Sequence, residues 1–149
     1  MSGLWLFIVV IAAIGIAAGV LAGWAAKNNR KDIMGKIIWA FWIFLSCANF
    51  PLWSERFPLK WHDVFTFVST YGILAAGLHG VYGEDRGPFL YPRMVIFTVI
   101  GMICRYFLEF GEVSNTYNFT LCNFVVYLFI VPVFTLLAYE FVERSKMKG

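Results

Sequence analysis

Five long apolar runs dominate the sequence, at residues 4–26, 33–53, 61–83, 92–110 and 119–141, each 19–23 residues long. A hydrocarbon core about 30 Å thick is crossed by about 20 helical residues at 1.5 Å each. Inside lipid a backbone must satisfy its own hydrogen bonds, so runs of this kind fold as helices. About 40 of the 149 residues are left for two ends and four connections. The expectation is an all-α, polytopic membrane helix bundle of five transmembrane helices, with residues 1–149 forming a single transmembrane domain. Composition agrees: 60% of residues are hydrophobic, 14% are charged and mean hydropathy is +0.72. A soluble domain carries about 25% charged residues. This excludes a disordered chain, a nucleic-acid binder and an ordinary soluble enzyme.

The few charges orient the chain. Basic residues are retained on the cytoplasmic side. With five spans, Lys27, Arg30, Lys31, Lys36, Arg86, Arg93, Arg144, Lys146 and Lys148 share one side, while Arg56 and Lys60 fall on the other. The N-terminus is therefore expected outside and the C-terminus in the cytoplasm. A four-span reading that drops the charged run 92–110 would blur this bias. Membrane lipids with anionic headgroups are the expected partners of the basic loops, in a multi-pass protein of a bacterial inner (plasma) membrane. The first run lacks a preceding basic residue and is too long for a cleaved signal.

The connections, at 27–32, 54–60, 84–91 and 111–118, are short, so consecutive helices are antiparallel neighbours. Gly15, Gly19 and Gly23 recur every four residues on one face of the first helix, and Gly72, Ala76 and Gly80 form a similar row on the third. Small residues let a second helix approach closely, inside one bundle or in another subunit. Trp5 and Trp24 mark the ends of the first run. Trp39, Trp42, Trp53 and Trp61 bracket the second run and its outer loop, which reads as an aromatic belt at the headgroups.

Polar residues inside lipid must find partners and point to sites. The topology gathers them toward the outer face: Ser46, Cys47 and Asn49; Thr66, Ser69 and Thr70; Cys104, Arg105 and Glu109; Cys122 and Asn123. Arg105 and Glu109 are four apart and share a helix face. Ser46, Asn49, Ser69, Arg105, Glu109 and Asn123 are the candidate ligand-binding residues, with Arg105 as anchor for an anionic or polar ligand. The bland alternative is an internal clamp. Lys36 reads as a snorkelling residue near Glu140.

His62 and His79 are too far apart on one helix to share a metal or haem. The three cysteines show no metal spacing and read as buried small hydrophobes. Pro132 cannot donate to the Leu128 carbonyl and should kink the fifth helix. Asn118-Phe-Thr120 fits a glycosylation acceptor close to the bilayer. No P-loop, dinucleotide fingerprint, HExxH or GxSxG occurs, so neither cofactor nor metal is expected and the balance leans away from an enzyme. The leading functional expectation is a non-enzymatic membrane protein acting through helix–helix association, as a homo-oligomer or with a protein partner. The alternative is a transporter, channel or lipophilic-ligand binder using the outer polar pocket. A membrane-embedded lipid or quinone enzyme is the third reading.

Overall fold

The computed structural model describes residues 2–51, 59–83 and 87–149, with side chains for all of these except 2–8, 10–11 and 87–88. The described chain is 86% helix and contains no strand. Its helices are α1 (Ser2–Lys27), α2 (Lys31–Ala48), α3 (Trp61–Tyr82), α4 (Gly87–Leu108), the short α5 (Ser114–Asn118) and α6 (Leu121–Val125), and α7 (Val131–Met147). A π-helical turn, Val126–Ile130, joins α6 to α7.

Three helical runs are long and apolar enough to cross a membrane: Trp61–Tyr82, Phe89–Leu108 and Leu121–Met147. Little of each run is buried, and large apolar side chains such as Phe65, Ile73, Phe107, Phe129 and Leu137 face outward. Monomeric soluble proteins rarely expose contiguous apolar surface on that scale, whereas lipid accepts it. The described chain is thus all-helical, with three helices long and apolar enough to span a membrane. Of the remaining apolar helices, Ala12–Lys27 is shorter, and α2 carries Lys31, Asp32 and Lys36 in its first turns.

The chain forms two compact units, Met1–Ile37 and Ile38–Gly149. In the first, α1 ends at a turn where Asn29 adopts a left-handed φ of 52°, a conformation its short side chain tolerates. Arg30 then donates twice to Asp32, at 3.1 Å each, in the first turn of α2. That hydrogen bond holds the Asp32 carboxyl below its ordinary range.

In the second unit, the buried residues recur at helical spacing. Trp39, Trp42 and Leu45 on α2, Tyr71, Leu74, Ala75 and Leu78 on α3, Leu90 and Met94 on α4, and Val131 and Tyr139 on α7 form one core. The 3–4 spacing makes each set a single stripe, which is what brings α7 against α3 and α4. A smaller cluster joins Phe50, Met102 and Tyr127. Trp42 meets Tyr71 edge-on at 5.1 Å, and such aromatic pairs add about 0.5–1.5 kcal/mol beyond area burial.

Trp39 and Trp42 therefore depart from the expected aromatic belt, since both are buried. Their indole N–H groups find internal acceptors, Tyr82 at 2.8 Å and Thr98 at 2.9 Å, which removes the need for a wet edge. Trp61 and Trp24 are exposed. Trp53 lies outside the described residues, as does the side chain of Trp5.

The glycine rows are not the site of closest packing within either unit. Inside Met1–Ile37 nothing lies within 4 Å of a Cβ position at Gly15, Gly19 or Gly23, and the same holds for Gly72 and Gly80 inside Ile38–Gly149. Ala76 is exposed. The close approach is at Gly101 on α4, where a Cβ would stand 2.5 Å from the Ser46 Cβ and 2.8 Å from the Ile43 carbonyl of α2.

Two features interrupt the regular α-helical hydrogen bonding of the last helical run. Pro132 has no N–H for the carbonyl of Leu128, four residues earlier, and the π-helical turn precedes it. The Tyr91 hydroxyl of α4 donates to that same Leu128 carbonyl at 2.9 Å.

Candidate functional site

A cleft of about 450 Å³ opens where α2 and α4 end and α3 begins. Its walls are Asn49 and Phe50 after α2, Asp63, Thr66 and Phe67 of α3, Arg105 and Glu109 at the end of α4, and Ser114 and Asn118 of α5. Three chain features build it. Phe50 is buried against Tyr127 at 5.0 Å, which fixes the chain leaving α2. Tyr127 also donates its hydroxyl to the Asn49 carbonyl. Gly111, at φ 83°, turns the chain after α4 in a conformation few other residues adopt, and so returns α5 over the cleft.

Arg105 of α4 and Glu109, just past its end, form an ion pair, with side chains 27% and 18% exposed. The second Glu109 oxygen accepts from the Asn118 amide at 2.8 Å. Arg105 also donates to the Cys47 carbonyl at 3.4 Å. Asn115 clamps the end of α4 by donating to the carbonyls of Tyr106 and Glu109, at 3.1 and 2.8 Å. Asn123 donates to the Asn118 carbonyl at 2.9 Å. The guanidinium charge is thus already committed to a carboxylate and a carbonyl.

Across the cleft, the Asp63 carboxylate lies 2.9 Å from His62 on its own helix and is half exposed. Glu112 stands by the rim and accepts from Ser114 at 3.4 Å. Among the described residues, the lining thus presents two carboxylates against one guanidinium, with a third carboxylate nearby.

Of the six candidate residues, Asn49, Arg105 and Glu109 line the cleft. Ser46 is fully buried at the Gly101 crossing, and Asn123 is fully buried behind Asn118. Ser69 lies one turn beyond Thr66, half-buried and outside the lining. Sequence reasoning missed Asp63, Ser114 and Asn118 as lining groups. For Asn118 the usable signal was its polar side chain in an outer loop rich in short polar residues. In the folded chain its amide is buried and bound to Glu109.

The other sequence candidates lie elsewhere. His79 is buried at the far end of α3, with Nδ1 3.4 Å from the Lys146 amine. Cys47, Cys104 and Cys122 are free thiols, and the last two are exposed. Among the described residues, no three His, Cys, Asp or Glu side chains gather as a metal site. Compared with protein-family models, with curated proteins and with solved structures, the chain matches none.

Proposed function

We propose that the chain is a five-span protein of a plasma membrane that binds a small polar ligand bearing a positive group in the outer cleft. The observation that carries this is the convergence of polar side chains from α3, α4 and α5, with Asn49, on one open volume whose only described guanidinium is neutralised. An anion would have to displace Glu109 from Arg105. A cation meets the half-exposed Asp63 carboxylate, with the rings of Phe50 and Phe67 beside it, and aromatic faces attract cations. The charge bias of the loops supports an N-terminus outside and a cytoplasmic C-terminus, which turns the cleft to the non-cytoplasmic side.

Binding of tetramethylammonium, acetate and glycerol to the purified full chain in detergent tests this. Tetramethylammonium should bind best, and Asp63→Asn should weaken it about tenfold, the worth of one charge-assisted contact. Thr66→Trp, which fills the cleft, should abolish binding. Equal occupancy by acetate, or tetramethylammonium binding untouched by Thr66→Trp, would sink the proposal.

A second reading is supported by α1. Its described apolar face is exposed and its glycine row is open within its own unit, which suits close helix–helix association in lipid. Energy transfer between labelled copies in vesicles should fall to background for Gly19→Leu. An undiminished signal would remove the glycine row from any self-association.

A further inference from the structure

A second, separate recess of about 180 Å³ lies at the opposite end of α3, lined by Trp39, Tyr82, Arg93, Ile96 and Phe97. Its polar edge is built with care. The Arg93 guanidinium lies over the Tyr82 ring, 5.5 Å from the centroid, and its Nη1 donates to the Tyr82 hydroxyl at 3.2 Å. The Trp39 indole donates to the same oxygen at 2.8 Å. A phenol that accepts twice keeps its own O–H to donate outward. A guanidinium carries five N–H donors. Among the described residues none of the ion pairs includes Arg93. The result is an outward set of donors with a positive charge and, among the described residues, no acid paired with it.

The other walls are apolar. Phe97 stacks on Trp39 at 4.9 Å, and Ile96 is exposed beside it. A charge at one end of an apolar trough fits an amphiphile with an anionic head. Guanidinium groups bind phosphate through two parallel N–H donors, and the recess has room for a headgroup but not for a whole lipid. We propose that this recess holds an anionic phospholipid, with its phosphate on Arg93 and the Tyr82 hydroxyl and its chain along Ile96 and Phe97. The proposal is independent of the outer cleft. In the five-span orientation the recess opens toward the cytoplasmic leaflet, where anionic lipids concentrate.

Native mass spectrometry of the full chain in detergent micelles, with phosphatidylglycerol and phosphatidylcholine of matched chains, tests it. One basic residue at a membrane surface is worth about 1 kcal/mol, or about fivefold, so phosphatidylglycerol should be retained at least about fivefold over phosphatidylcholine. Arg93→Gln should cut that preference to less than about twofold, and Tyr82→Phe should lower it in part. Ile96→Trp, which blocks the trough and leaves the charge in place, should remove the bound lipid and serves if the arginine variant misfolds. Full preference in Arg93→Gln, equal retention of phosphatidylcholine, or displacement of the lipid by inorganic phosphate alone would overturn the assignment.

Discussion

Replacing Gly101 with alanine should destabilise the protein, and replacing it with leucine should do so more severely. The opposing effects can be compared. Alanine in a helix interior gains about 0.5–1 kcal/mol over glycine. Overpacking costs about 1–3 kcal/mol, and here the obstacles are stiff: the Ser46 Cβ at 2.5 Å, the Ile43 carbonyl at 2.8 Å and the Cys47 nitrogen at 3.1 Å. Backbone atoms cannot rotate away, so α2 and α4 must separate, and the buried contact of Trp42 with Thr98 is strained with them. Loss of about 1–2 kcal/mol is expected for Gly101→Ala. Adding Ser46→Gly removes one of the three obstacles and should restore part of that loss. Gly72→Ala, in open space within the same unit, is the control and should be neutral or stabilising. Thermal unfolding in detergent reads all four variants. A Gly101→Ala protein as stable as the wild type would refute the tight crossing.

Glu109→Ala should be the most damaging change at the cleft. It strands the Arg105 guanidinium, which is 27% exposed, with only the Cys47 carbonyl for company. Breaking a buried pair by removing one partner costs about 3–5 kcal/mol, and an arginine within a span costs about 2.5–3.5 kcal/mol. Partial exposure argues for the lower end, about 2–3 kcal/mol. Arg105→Leu should be milder, because Glu109 keeps its bond from Asn118. The double variant should be more stable than Glu109→Ala alone, because no charge is stranded. A double-mutant cycle on unfolding free energy measures this coupling. Additive losses would show that the two side chains do not depend on each other.

The helical class was legible because it rests on long-range composition: apolar runs of span length admit no other backbone. The run at 61–83 closely matches Trp61–Tyr82, where Gly83 at φ 72° ends the helix. Boundaries slipped where a local rule was overridden. Pro92 marks the start of the fourth apolar run in the sequence, yet α4 begins at Gly87, because a proline in the second turn forfeits only one N–H. The tryptophans were misplaced because their partners, Tyr82 and Thr98, stand 43 and 56 residues away. The polar cluster was legible as a depth in the bundle but not as a lining. Ser46 and Asn123 share that depth with Arg105 and point into packed protein, and helix rotation decides which residues reach the open volume.

Apolar helices in lipid have little to stop them sliding along one another, since every axial position offers similar contacts. The hydrogen bond from Tyr91 to the Leu128 carbonyl acts as a detent. Pro132 offers no N–H to that carbonyl, so the bond from Tyr91 favours one vertical register of α4 against the last helix. A slip of one residue moves the acceptor about 1.5 Å along the axis and about a quarter-turn around it, out of reach of the tyrosine. The proline, commonly read as a weakness, thereby sets how high α4 and the last helix stand relative to each other.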